Sequence, residues 1–123
     1  MPGPVKRSAS SLETLRHRLR RFAKQRDWDQ FHAPKNLAMA LSVEAAELLE
    51  HFQWLSEAQS KRLSARQLAR VREELADVLL YLVRLADQLD VDLLAAASDK
   101  MKRNARKYPV RKARGSSKKY TDL

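Results

Sequence analysis

Pro34-Lys35-Asn36-Leu37-Ala38-Met39-Ala40-Leu41-Ser42-Val43-Glu44-Ala45-Ala46-Glu47-Leu48-Leu49-Glu50 is the stretch on which the fold turns. Proline at its head presets φ for an early helical position, and no glycine or second proline interrupts the sixteen residues after it. Leu37, Met39, Leu41, Val43, Leu48, Leu49 and Phe52 cover most sides of a helix expected over 34–55. That is the pattern of a helix enclosed by neighbours, and it is expected to lie at the centre of the fold. Against this apolar ground stand Glu44, Glu47 and Glu50, whose three-residue spacing puts three carboxylates along one slowly turning face.

Working outward, residues 56–63 read as a polar link, and Ser64 with Gln67 forms a capping box that opens a third helix running to about Leu89. This helix is also apolar on too many sides for an exposed one (Val71, Leu75, Val78, Leu79, Leu82, Val83), so it is expected to pack on the second. It too is interrupted by acid, at Glu73-Glu74-Leu75-Ala76-Asp77. Asp90 is placed to cap a fourth helix over 91–107, which Pro109 terminates. On the other side, Ser10 and Glu13 suggest a capping box for a first helix. Its Leu12, Leu15, Leu19 and Phe22 form one apolar stripe, and it ends near Arg26. A polar-aromatic connector, 27–32, joins it to the second. No alternating strand pattern occurs, so the expected architecture is all-α, a four-helix bundle assembled as an oligomer that covers the surplus apolar surface. A flexible leader (1–9), one domain (10–109) and a basic tail (110–123) are expected.

Composition narrows the chemistry. With 123 residues and no cysteine, one domain is expected, with no disulfide, no thiolate metal site and no cysteine nucleophile. The lack of cysteine agrees with a reducing compartment, and the cytoplasm is the expected location. The N-terminal segment has no apolar core of the signal-peptide kind, and no run approaches the roughly 18 apolar residues of a membrane span. Only Gly3 and Gly115 are present, so no glycine-rich loop can cradle phosphates. The net charge of +10 is segregated: both ends are basic, whereas 27–98 carry seven basic against twelve acidic residues. A nucleic-acid-binding helical protein using its basic arms is the alternative reading. Against it, the acidic centre would repel phosphate unless a metal intervened.

The two acidic clusters explain each other only if something cationic lies between them. Like charges at neighbouring helical positions repel, and burying an unpaired carboxylate is costly. Magnesium fits, being a hard ion that takes oxygen ligands, and bundle-core metal sites are built from inward carboxylates on facing helices. A lone Glu-x-x-Glu would more often be a solvated face. Two such sets, each in a helix with little polar face to spare, favour a site.

These residues bring out a resemblance. The chain is similar to the MazG-like, all-α nucleoside triphosphate pyrophosphohydrolases, and within them to the dCTP-cleaving branch, from about Leu12 to Leu123. The likeness rests on 22–28, Phe31-His32, Asn36-Leu37, Glu44-x-x-Glu47 with Phe52-Gln53-Trp54, and 73–79 with Tyr81-Leu82-Val83. It extends to Lys100-Met101, Asn104, Tyr108-Pro109 and Lys119-Tyr120-Thr121. It implies that Glu44, Glu47, Glu74 and Asp77 bind magnesium and carry catalysis. It implies further that Trp28, Phe31, His32, Trp54 and Tyr81 surround the nucleoside and that Lys100 and Asn104 contact the phosphates. The substrate implied is dCTP or a modified dCTP, cleaved to monophosphate and pyrophosphate by a homotetramer that cleanses the nucleotide pool. One departure stands out: close relatives carry a histidine where this chain has Leu19, and His17, two positions away, is expected to point outward.

Overall fold

The structure is a computed structural model and describes residues 11–123. The expected leader over 1–9 and the expected cap at Ser10 lie outside the described residues. All regular structure among the described residues is helical. The chain divides into two compact units, Met1–Asp90 and Val91–Leu123.

In the first unit, α1 spans Leu12–Gln25. Its N-cap is Ser11, whose hydroxyl oxygen accepts from the Thr14 amide at 3.1 Å. Glu13 holds the Arg16 guanidinium one turn on and lies 3.0 Å from His17, which is exposed as expected. Asp27 then takes the left-handed conformation (φ 54°), which Asp tolerates better than most residues and which turns the chain out of α1. The Gln30 amide nitrogen secures that turn by donating to the Asp27 carbonyl. A short 3-10 turn, Asp29–Phe31, leads into α2, Pro34–Glu50, with Pro at its first position.

α2 ends at Glu50 rather than at Leu55, because the amides of His51, Phe52 and Leu55 reach back only three residues and close turns, while only that of Gln53 keeps the four-residue spacing. The polar link contains its own single-turn helix, α3 (Glu57–Ser60), with a capping box between Ser56 and Gln59. A second box, Ser64 with Gln67, opens α4, Ala65–Gln88, as expected. α4 packs against both α1 and α2, so the centre of the unit is α4 and not α2. Its buried side chains Val71, Val83 and Ala86 join Ala23 of α1 and Leu37 of α2 in the core. Leu37 is only 2% exposed, and burying it contributes about 1.5–3 kcal/mol.

The enclosure expected for α2 and α4 is not provided by this chain alone. Met39, Val43, Leu49, Leu68 and Leu75 are each more than half exposed.

In the second unit, α5 spans Leu93–Lys107 and is capped by Asp92, whose carboxylate accepts from the Ala95 amide at 3.0 Å. Asp90, the residue expected to cap it, instead adopts the left-handed conformation (φ 56°) that ends α4. α5 stops before Pro109 as expected. Beyond it lie a single-turn helix, α6 (Val110–Ala113), and a 3-10 turn, Tyr120–Asp122, so the C-terminal segment is less irregular than its composition suggests. Tyr120 packs edge-on against Tyr108, with ring centroids 5.9 Å apart, and the Lys107 ammonium lies over its ring.

Candidate metal centre and nucleoside-binding side chains

The acids of α2 and α4 meet. One carboxylate oxygen from each of Glu44, Glu74 and Asp77 lies within 4.8 Å of the others. Glu44 lies near both Glu74 and Asp77, and His51, which caps the C-terminal end of α2 two turns further on, lies near Glu74. The two helices therefore run in opposite directions past each other, which lets an i, i+3 pair on one face an i, i+3 pair on the other. Three carboxylates so close repel one another. Burial, with Glu47, Asp77 and Glu74 alongside, pushes the Glu44 carboxyl up to about 7.

The hydrogen bonding is incomplete in a specific way. Glu44 Oε2 and Glu74 Oε2 are sealed from solvent and have no hydrogen-bond partner. His51 Nε2 approaches Glu74 Oε1 only to 3.6 Å, too far for a direct hydrogen bond. Buried carboxylate oxygens left without donors are expensive unless a cation answers them. The donor set is all oxygen, which suits a hard divalent ion. Oxygens held at about 2.1 Å from magnesium span at most about 4.2 Å, a modest side-chain adjustment from the observed spacing. These three residues can therefore hold a metal ion. Glu47, expected as a fourth ligand, lies beside Glu44 but outside the set of three whose oxygens converge.

The expected nucleoside side chains fall into two groups. Tyr81 lies one turn beyond Asp77 on the same stripe of α4 and is half-buried. Trp28 and His32 of the connector pack edge to face, with centroids 6.3 Å apart, and Trp28 packs likewise on Phe22 at 5.6 Å. Phe31 is exposed, and Trp54, in the turn after α2, is 87% exposed. Both tryptophans are thus outside the core, and their aromatic faces are accessible. Lys100 and Asn104 lie on α5 of the second unit, both exposed. Leu19, at the departure position, is half-buried on α1.

One constellation is absent from the sequence-based expectations. Arg84, 5% exposed, donates from Nη2 to Asp29 at 2.6 Å, from Nη1 to Asp87 at 3.2 Å and from Nε to His32 Nδ1 at 3.0 Å. Asp87 also accepts from Arg16 at 2.9 Å and from Arg20 at 2.5 and 3.1 Å. The hydrogen bond from Arg20, helped by Arg16, holds the Asp87 carboxyl below the usual carboxylate range despite burial. Burial and the Arg84 charge hold His32 below its ordinary value. The signal in the sequence is a lone arginine inside the apolar run Val83-Arg84-Leu85, with an acid three residues on to receive it.

The described residues form an all-α protein that aims unpartnered carboxylates from two facing helices at one point, an arrangement that can take a cation. Comparison with known proteins narrows this further. Residues 39–123 match the model of the MazG-like family, and the chain belongs to that family. It is 48% identical over 115 residues to dCTP pyrophosphatase 1 of Rattus norvegicus, covering 92% of this chain and 68% of that protein. Its likeness to dCTP pyrophosphatase 1 of Homo sapiens has the same extent. Among solved structures it is similar to a pyrophosphatase from Archaeoglobus fulgidus, with a TM-score of 0.77 and 42% identity, covering 85% of this chain and 98% of the other.

Proposed function

We propose that this chain is a nucleoside triphosphate diphosphatase that cleaves dCTP, or a modified dCTP, to the monophosphate and pyrophosphate with magnesium as cofactor. The observation that carries the reading is the convergence of Glu44, Glu74 and Asp77 with two buried, unpartnered carboxylate oxygens. The family and the relatives named dCTP pyrophosphatase support the reaction class and the choice of base.

Glu44, Glu74 and Asp77, with Glu47 beside them, would hold the ion. When bound, magnesium neutralises charge on the triphosphate and makes water a better nucleophile. The chain's own residues do the rest. A further carboxylate, Glu50 or, where Glu44, Glu74 and Asp77 alone hold the ion, Glu47, would orient the attacking water and take its proton. Water adds and the bond between the α and β phosphates breaks, so dCTP and water become dCMP and pyrophosphate. Trp28, Phe31, Trp54 and Tyr81 offer aromatic faces on which a base stacks, and His32 offers a ring nitrogen. Lys100 and Asn104 offer a cationic and an amide donor to phosphate oxygens.

The domain is taken as 10–109, with 1–9 as leader and 110–123 as basic tail. Among the described residues no helix is long and apolar enough to cross a membrane, and a cytoplasmic role in nucleotide-pool sanitation is proposed. The exposed apolar side chains of α2 and α4 support self-association, proposed as a homotetramer. Light scattering on the purified chain should give four times the 14.2 kDa chain mass, and a monomer would refute that assembly.

The test of the activity is incubation with each of the four deoxynucleoside triphosphates, with and without magnesium, and separation of the products. Magnesium-dependent dCMP and pyrophosphate are expected. Consumption of no triphosphate would overturn the reading in favour of nucleic-acid binding through the basic ends.

A further inference from the structure

Among the described residues Arg84 is the one charged residue that is buried as a whole, and its donors go to three different groups: Asp29, Asp87 and His32. The bond to His32 has a chemical consequence. A guanidinium nitrogen can only donate, so His32 Nδ1 must accept, and the single proton of the neutral ring then sits on Nε2. A fixed positive charge 3.0 Å away opposes a second proton, and burial acts in the same direction. Asp29, the nearest acid, is itself engaged by Arg84 Nη2. Nε2 has no hydrogen-bond partner among the described residues, so its N–H remains unspent.

Arg84 is in turn held from behind. Asp87 binds it together with Arg16 and Arg20 of α1, which anchors the guanidinium on the side away from His32. At the other end, the His32 ring meets the edge of Trp28, Trp28 meets Phe22, and the Arg26 guanidinium lies 3.5 Å over Phe22. The connector that carries Trp28 and His32 is therefore tied to the central helix through one buried arginine.

We infer that Arg84 is a positioning residue for nucleotide binding: it locks His32 as a neutral imidazole protonated on Nε2, ready to donate a hydrogen bond to an acceptor atom of the nucleoside beside the Trp28 ring. The inference rests on the reading that His32 and Trp28 line the nucleoside site. It assigns Arg84 no contact with substrate or metal. A residue that only stabilised the fold would leave the ring's proton unspecified, and that difference is measurable.

The primary test is nitrogen NMR of the histidine-labelled full chain at neutral pH. His32 should show the Nε2–H form alone; an Nδ1–H or doubly protonated ring would overturn the proposal whatever the enzyme does. In Arg84→Gln, provided it folds, the single form should give way to a mixture of the two neutral forms. In Arg84→Lys, KM for dCTP should rise about tenfold, the upper cost of one hydrogen bond between neutral groups, with kcat held within about threefold. Placed on a His32→Ala background, Arg84→Lys should add nothing further to KM. An equal penalty in both backgrounds, or an unchanged proton position in Arg84→Gln, would sink the idea. If the wild type cleaves no dCTP, the kinetic arms fall with the functional reading, while the NMR result still decides whether Arg84 sets the state of His32.

Discussion

Asp77 and Asp87 lie on the same helix, α4, yet their surroundings differ in kind. Asp87 is answered in full: Arg84, Arg16 and Arg20 supply donors to both of its oxygens. With Asp29 and Glu13 included, three carboxylates meet three guanidiniums. Asp77 instead faces Glu44 and Glu74, more negative charge, and two of the oxygens in that group have no partner at all. A balanced network of this kind stabilises a fold. An unbalanced, buried one is tolerated where something outside the chain completes it. The contrast separates the part of α4 that holds α1 and the connector in place from the part whose acids the chain leaves unanswered.

The comparison breaks if the two regions respond alike to losing charge. The largest effect is expected at the unbalanced end. Glu44→Gln, Glu74→Gln and Asp77→Asn should each lower magnesium-dependent hydrolysis by at least about a hundredfold, beyond what outlying partners of metal ligands contribute. In metal-free protein these same variants should melt no lower than the wild type, because each removes a repulsive charge. A loss of stability there, measured by differential scanning calorimetry, would mean that the acids are structurally satisfied after all.

At the balanced end the sign reverses. Asp87→Asn leaves a buried guanidinium short of its counter-charge and should cost about 3 kcal/mol in urea unfolding. That is the low end of the range for breaking a buried pair, because Arg16 and Arg20 reach solvent. No loss would show that the network contributes little to the fold.

The smallest effect sharpens the contrast through pH. The folded Glu44 carboxyl lies at about 7, above its ordinary value of 4.5, so between those values the folded state binds more protons than the unfolded one. Metal-free stability should therefore fall as pH rises from about 4.5 to 7, and the fall should disappear with magnesium present. Asp87 works the other way. Its carboxyl is lowered, so the stability it contributes is present above the ordinary value of 3.8 and is lost as pH drops through its depressed value. Melting curves across pH in magnesium and in chelator would separate the two. A metal-free curve without the fall between pH 4.5 and 7 would contradict the raised Glu44.

Much of this is legible in the chain. The capping box at Ser64 and Gln67, the proline that opens α2 and the acids at three-residue spacing rely on local rules that hold whatever surrounds them. The helix ends are less so. Whether α2 stops at Glu50 or Leu55 depends on how residues 51–55 close their turns. The cap at Asp92 rather than Asp90 depends on which of two acids takes the left-handed corner. His51 carries no signal in the sequence because its nearness to Glu74 exists only once the helices cross. Arg84 stands out as a lone charge in an apolar run, but its distant partners do not, because two of them lie 52 and 55 residues away along the chain.

By itself the sequence determined an all-helical chain, the two helices that carry the acids, and the family to which it belongs, because periodicity, caps and residue identity are properties of short segments. Only the tertiary structure decided that α4 and not α2 lies at the centre. It also decided which three acids share a point and that a buried arginine reaches His32. The physical reason is that charge pairing acts over a few ångströms between residues far apart in the chain. The same side chain is a satisfied partner or an unpartnered acid according to what the fold brings beside it.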